Sequence, residues 1–394
     1  MASHPHSSTA QICLVPRLAG LGGMVSFQAR LVDGLARRGI AVSFDLDDPA
    51  NTAVLVIGGT RHILSLWRAR RRGLPIVQRL NGMNWLHRKQ KTSLRRSLRA
   101  EVNNLLLAFI RRRLATRIVY QSQFSHDWWQ RVYGPVNIPD EVVYNGVDLS
   151  AFNPAGPEQP PFTCYRLLIV EGHLGAENTQ GLENAVRLVE LLQARLHTSP
   201  GRGRPVELVV VGNVPADIRS RFAPHTGGSR FAPHTGGSRF APHTMGSHDQ
   251  SPASDATPAL ADDARGVEIT WAGVLKREQI PAVDCSAHLL FSADLNAACP
   301  NAVIEALACG LPVVSFDTGA LRELLQNDAG RVVPYGSDYW ELQPPILAPL
   351  VEAAAEILAD NPRFRQAARA RAEAAFGLER MLDGYLSALF AQPL

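Results

Sequence analysis

No run of this 394-residue chain approaches the ~20 apolar residues that a membrane-spanning helix needs; stretches such as Leu105 to Ile110 are far shorter. Spanning helices are therefore excluded. Cysteine is scarce: the five at positions 13, 164, 285, 299 and 309 form no C-x-x-C pair, which excludes a disulfide framework and fits a reducing cytosol. The opening segment MASHPHSSTAQ has neither a basic n-region nor an apolar h-region, so the sequence predicts no secretory signal. Hydrophobic residues make up 46% and charged residues 19%, a globular composition rather than a disordered one. The length predicts two domains, because single cores stop growing well below it.

Charge is unevenly placed. Residues 1–155 hold 21 Lys and Arg against 9 Asp and Glu, and the remainder holds 19 against 27. A basic first half joined to an acidic second half points to an anionic partner for the first: a nucleic acid, a membrane surface or a phosphorylated acceptor.

Short β-rich runs alternate with helical patterns. Ile12–Val15, Ala41–Phe44, Val54–Ile57, Pro75–Leu80, Arg117–Tyr120 and Val142–Tyr144 read as buried strands, with helices such as 24–38 and 92–114 between them. The rhythm restarts with strands at Arg166–Val170, Val206–Val211, Val267–Ala272, Ala287–Phe291 and Leu311–Ser315, and with a helix over 182–196. Such alternation predicts parallel sheets in an α/β fold, here two Rossmann-like halves. Pro and Gly cluster at the boundary, NPAGPEQPPF, near 153–162. One segment breaks the rhythm. RFAPHTGGS occupies 221–229, repeats at 230–238, and repeats again at 239–247 with Met245 in place of Gly. With the polar tail that runs to Asp263 it lacks the apolar content of a core and reads as a disordered insert over 221–263. His225, His234 and His243 recur without the Cys or acidic cluster that would make a metal site.

Three places carry chemistry. The first strand runs into a loop ending in Gly22-Gly23, just before a helix, where backbone N–H groups can meet an anion. The glycines do not spell G-x-G-x-x-G, although Asp45 follows Gly23 at a spacing that imitates a dinucleotide-binding acid. Asp45-Leu-Asp47 also matches a D-x-D metal signature, or is a solvated turn. The most informative run is Cys299-Pro-Asn-Ala-Val-Ile-Glu-Ala-Leu-Ala-Cys-Gly-Leu-Pro-Val-Val314: a loop, a helix from about Asn301, a stop at Gly310, then a strand. Glu305 sits one turn into that helix. It either accepts from ribose hydroxyls or offsets the helix dipole.

This run, with the Ser315-Phe-Asp-Thr-Gly-Ala-Leu-Arg-Glu-Leu-Leu that follows, resembles the donor-site region of the family 4 retaining glycosyltransferases. So do the Gly22-Gly23 loop, Tyr120-Gln-Ser-Gln-Phe-Ser and Val143-Tyr-Asn-Gly-Val-Asp148; the resemblance spans nearly the whole chain outside the repeats. It implies a GT-B fold, in which two Rossmann-like domains face each other across a cleft and a C-terminal helix crosses back to the first domain. The domains would be 1–155 with helix 377–394, holding the acceptor, and 156–376, holding a nucleotide sugar. It implies sugar transfer from that donor to an acceptor hydroxyl with retention, with no metal or other cofactor, in cell-surface polysaccharide or glycolipid synthesis. A catalytically impaired GT-B protein and a nucleotide-sugar epimerase are the alternatives.

Carried over by position, Glu305 would hold the donor ribose, with Asn301, Ala302, Val303 and Val274 beside the donor. The family's other acid falls at Ala297, which has no carboxylate. His173 takes the place of an arginine that faces the donor diphosphate, and Lys276 could replace a missing cation. The family's acceptor-side histidine falls near Asn81, with His87 six residues on; these two are the catalytic candidates. Gly22 and Gly23 would face the acceptor or a phosphate.

Between Leu86 and Arg117 stand ten Lys and Arg against Glu101 alone, and Leu94, Leu98, Val102, Leu105, Phe109 and Ile110 recur at helical spacing. Either this apolar stripe packs inward, or a basic amphipathic helix rests on an anionic membrane with Arg111, Arg112 and Arg113 facing it. Nucleic acid is not expected, since no aromatic interleaving accompanies the charge. The expected location is cytoplasmic, peripheral on the inner face of the membrane, with a saccharide or lipid-linked acceptor.

Overall fold

Runs of Val, Ile and Leu too short for helices form two six-stranded sheets, and every pairing between neighbouring strands is parallel. The computed structural model describes residues 10–20, 22–90, 93–175, 179–198, 203–222 and 267–390. The first sheet contains β1 (Gln11–Val15), β2 (Ala41–Ser43), β3 (Ala53–Ile57), β4 (Ile76–Leu80), β5 (Arg117–Tyr120) and β6 (Asp140–Val142), in the order β2-β1-β3-β4-β5-β6. The second contains β7 (Tyr165–His173), β8 (Val206–Asn213), β9 (Glu268–Gly273), β10 (Leu289–Ser292), β11 (Val313–Phe316) and β12 (Gly330–Val333), in the order β12-β11-β10-β7-β8-β9. Strands β3 and β4 are buried along their whole length, as parallel strands covered by helices on both faces must be.

Helices cover both faces of each sheet. On one side of the first, Phe27, Leu31 and Leu35 of helix Gly23–Arg37 share a core with Met381, Leu382 and Tyr385 of helix Leu378–Phe390. That last helix comes after the second domain and lies on the first. Its entry is fixed by a bridge between Val147 and Gly377 and by the rings of Phe27 and Tyr385, 5.1 Å apart. Helix and strand swap sides twice: β1 lies between β2 and β3, and β7 lies between β8 and β10. In open parallel sheets such reversals leave a crevice at the carboxyl ends of the strands. The two crevices face each other here.

The expected elements appear with small shifts. The strand expected over Val142–Tyr144 is Asp140–Val142, because Asn145 and its neighbours turn toward the other domain. Helices Ile63–Arg71, Ala348–Ala359 and Asn361–Ala375 and strand Gly330–Val333 were not anticipated; their Arg- or Ala-rich faces blunt the apolar period. The tandem repeats and their tail lie, apart from Arg221 and Phe222, outside the described residues.

Helix Leu94–Arg113 does not pack its stripe inward as one face. All of it but Ile110 faces outward: Leu94 is 90% exposed, Leu98 66%, Val102 54%, Leu105 59% and Phe109 46%. Only the opposite face, with Asn104, Leu107, Ile110 and Arg111, is buried. Arg111 is thus not a surface cation as expected. It is 1% exposed, donating through Nε to Tyr120 Oη (2.9 Å) and through Nη1 to the Gly134 carbonyl (2.8 Å). It falls four residues, about one turn, after Leu107 on the inward face, and its charge is used inside the fold. Arg112 and Arg113 are exposed.

Candidate active site

The facing carboxyl ends enclose a cleft of about 940 Å³. The Gly22-Gly23 loop after β1, Asn81 and His87 after β4, and Gln121 and Asn145 line one wall; Glu171, Val274, Arg277, Asp294 and the Cys299–Glu305 segment line the other. Backbone geometry admits this closeness. Gly212 of β8 has φ +140°, and a Cβ there would lie 1.9 Å from the Glu171 carbonyl oxygen, so only glycine lets β8 pass the site-bearing end of β7.

Glu305 sits where its helix, Asn301–Ala308, opens into the cleft, and it is buried. Its carboxylate makes an ion pair with Arg30 of the first domain's helix Gly23–Arg37. Arg30 also donates to the Gly146 carbonyl (3.0 Å). Burial pushes the Glu305 carboxyl above its ordinary range, and the Arg30 charge opposes that; burial likewise lowers the Arg30 guanidinium. A buried ion takes a partner because desolvation is costly, and here the partner comes from across the cleft.

Asn145 makes a second seam. Its side chain accepts from Arg79 Nη2 (2.9 Å) and donates to the Cys299 carbonyl (3.0 Å) and to Asn301 Oδ1 (3.1 Å). Asn301 donates in turn to the Gly23 carbonyl (3.2 Å). Asn301 and Gly23 therefore meet each other as well as the cleft. Arg79 is fully buried with its guanidinium 3.7 Å from the Phe27 ring centroid, and its Nε and Nη1 have no protein partner among the described residues. A third seam is Glu323, which accepts from the backbone N–H groups of Gln123 and Phe124 (2.9 Å each) and from Tyr144 Oη (3.0 Å). The second domain thus caps a helix of the first, Gln123–Tyr133.

Among the other expected residues, His87 lies against the cleft with its Nε2 2.9 Å from Glu101 Oε1, which also receives Arg88. Asn81 lines the cleft while its carbonyl accepts from Trp129 Nε1 (2.7 Å). Ala302 and Val303 line the second domain's wall, as does exposed Val274. Lys276 does not: it is exposed at the start of a short 3-10 turn, with its backbone N–H bonded to Gln279 Oε1 (2.9 Å). That turn aims the next residue, Arg277, into the cleft instead. The His173 side chain lies outside the described residues. Asp45 and Asp47 form a turn: Asp45 Oδ1 accepts from the Asp47 N–H (3.0 Å), and Asp47 pairs with Arg68 (3.1 Å).

Ala297 is buried, its carbonyl accepting from the Ala320 N–H (2.9 Å). Gly319 presses on it so closely that a Cβ there would lie 2.5 Å from the Ala297 oxygen. The carboxylates nearby are Glu171 and Asp294, at the ends of the paired strands β7 and β10. By accessible surface Glu171 is half-buried and Asp294 exposed on the cleft wall. The protein mass crowded around the cleft, with the charge of Asp294, holds Glu171 well above the usual carboxylate range, and the same crowding raises Asp294 to about 6. Sequence reasoning passed over Arg30, Arg79, Arg277 and this acid pair. Arg30 had one legible signal, a charge on the apolar face formed by Phe27, Leu31 and Leu35.

The sequence from 240 to 343 matches the family model described as "Glycosyl transferases group 1". No curated protein matches the chain. Among solved structures it is similar to sucrose-phosphate synthase from Thermosynechococcus elongatus, with a TM-score of 0.64 at 15% identity over 96% of this chain and 98% of that one. Anabaena Alr3699/HepE in complex with UDP and glucose gives 0.60 at 15% identity, covering 97% and 100%. WaaG, a glycosyltransferase involved in lipopolysaccharide biosynthesis, gives 0.58 at 14%, covering 97% and 100%. The fold is the GT-B fold of these glycosyltransferases.

Asp294 supplies a pH test. Its carboxyl is raised in the folded chain to about 6 from 3.8, so its contribution to stability is full below about pH 4 and is lost as pH rises through about 6. The melting temperature of Asp294→Asn should therefore gain on that of the wild type between pH 4 and pH 7. Parallel curves for the two proteins would contradict the assignment.

Proposed function

We propose that the chain is a glycosyltransferase that moves a sugar, a hexose in the simplest case, from a nucleotide donor to an acceptor hydroxyl in the cleft, with retained configuration. The observation that carries this is Glu305, one turn into a helix at the cleft, beside the free N–H groups of the helix start. That pairing of an acceptor group with an anion-favouring helix end suits a ribose joined to a diphosphate. The group 1 match over 240–343 and the GT-B fold support the same reading. Structures in complex with UDP and glucose or with UDP-glucose are among the similar ones, and UDP-glucose is the first donor to try.

In this reading the second domain holds the donor through Glu305, Asn301, Ala302, Val303 and Val274, and the first holds the acceptor. Arg277 and Arg79 supply positive charge toward the leaving diphosphate, in place of the cation expected at Lys276. His87, held by Glu101, and Asn81 face the acceptor hydroxyl. No metal or other cofactor enters the reaction. Ala297 favours a second reading, a GT-B protein that binds nucleotide sugar with little turnover, because no carboxylate at that position can meet the transferred sugar. Transfer and hydrolysis assayed over a panel of nucleotide sugars separate the two. For the donor site itself, Glu305→Gln should weaken UDP-glucose binding about ten-fold, the loss of a charge-assisted hydrogen bond worth roughly 1.5 kcal/mol or more. Unchanged affinity in calorimetry, with the protein folded, would remove Glu305 from the donor site.

The acceptor in this reading is a saccharide carried on lipid at the cytoplasmic face of a membrane. Among the described residues no helix is long and apolar enough to cross one. The outward stripe Leu94, Leu98, Val102, Leu105 and Phe109 lies among exposed Arg95, Arg96, Arg99, Arg112 and Arg113. Apolar side chains flanked by cations suit the boundary of an anionic bilayer. The protein should co-sediment with phosphatidylglycerol vesicles at low salt and be released as salt rises. Leu98→Gln with Phe109→Gln should abolish sedimentation without lowering the melting temperature, since both are exposed. A protein that stays in the supernatant at low salt would contradict membrane binding.

A further inference from the structure

A second cavity, of about 270 Å³, opens beside the cleft and shares Met83, Asn84 and Trp85 with it. Its distinguishing feature is aromatic. Trp340, from the second domain, stands between two tryptophans of the first: its ring centroid is 5.1 Å from Trp85 and 5.4 Å from Trp128, edge-on to both. Arg88, Lys89 and Arg131 bring three cations to the lining, beside Asn104 and Val132.

The walls are held in place. Asn104, 1% exposed, accepts from the Asn84 N–H (3.1 Å) and donates to the Asn84 carbonyl (2.8 Å), so the loop shared with the cleft is pinned from behind. Arg88 lies bidentate on Glu101 (2.6 and 2.8 Å), the same carboxylate that orients His87. On the other side Asp338 accepts from the Trp340 N–H (2.9 Å), and Glu341 pairs with Lys89 across the domain boundary. Neither Glu101 nor Glu341 lines the cavity, whereas all three cations do.

We propose that this cavity binds one anionic sugar ring of the acceptor, a hexose carrying a carboxylate or a phosphate, next to the ring whose hydroxyl reacts in the cleft. The inference rests on the glycosyltransferase reading for its role but on the cavity alone for its ligand. Indole faces are electron-rich and attract the weakly positive C–H groups of a sugar ring. Arg88, Lys89 and Arg131 place positive charge at the rim, where a carboxylate or phosphate forms charge-assisted hydrogen bonds. The volume, at the lower edge of small-ligand sites, suits a single ring rather than a chain. Continuity through Met83 to Trp85 lets that ring be joined to another in the cleft beside His87. Because Trp340 belongs to the second domain and its two partners to the first, the subsite is complete only when the domains stand as they do here.

The test is an NMR titration of the tryptophan indole N–H signals in the full chain. The probes are glucuronate, glucose 6-phosphate, glucose as the neutral ring and inorganic phosphate as the ringless anion. Glucuronate or glucose 6-phosphate should shift the Trp85, Trp128 and Trp340 signals at concentrations at least ten-fold lower than glucose or phosphate require, and whichever does so names the anion. Trp340→Ala should weaken the charged sugar ten-fold or more. Arg131→Gln, at an exposed position unable to disturb folding, should erase most of its advantage over glucose. Equal response to charged and neutral rings, no response of these signals, or a preference that survives Arg131→Gln would overturn the proposal. Parallel calorimetry of the wild type with UDP-glucose separates the two readings: absent donor binding removes the transferase role and leaves the cavity's ligand decided by its own titration.

Discussion

The Arg30–Glu305 ion pair is the constraint around which the cleft is organised. One partner lies on the first helix of the first domain, the other in the helix that opens the second domain's wall of the cleft, and both are buried. Two charges withdrawn from water are tolerable only together, and removing one leaves the other uncompensated. The pair therefore does more than hold two domains side by side. It opposes the upward push of burial on the Glu305 carboxyl and holds the group from behind, while the rest of its surface lines the cleft.

The other seams fit this arrangement. Asn145 ties Arg79 to Cys299 and Asn301, and Glu323 caps a helix of the facing domain. Each joins segments that the sequence resemblance had marked: Tyr120–Ser125, Val143–Asp148 and the run from Cys299 onward. Those motifs read as a donor site in isolation. In the structure they also form the joint between domains, so that cleft and joint share residues.

The fold was legible because parallel strands buried on both faces are nearly continuous apolar runs, and the two-fold recurrence of that rhythm gave two sheets. The crossing of helix Leu378–Phe390 followed from resemblance and is seen in the contact of Tyr385 with Phe27. The lining of the cleft was legible only where local pattern carried it, at Glu305, Asn301 and the two glycines. Arg30 acts across the domain boundary, and no local spacing reports a partner 275 residues away. The basic helix shows the opposite limit. Its period was plain, but a stripe that faces solvent has the same period as one that faces a core, and Arg111 differs from Arg112 only in the direction the turn gives it.

A double-mutant cycle on Arg30→Met and Glu305→Gln, read by chemical denaturation, addresses the pair itself. If the two charges depend on each other inside the cleft, Arg30→Met alone should cost about 3 kcal/mol or more, and adding Glu305→Gln should restore part of the loss, giving a coupling well above 0.5 kcal/mol. Single-mutant costs that simply add would show that the domains are joined by something else, and that Glu305 does not depend on a cation from the facing domain.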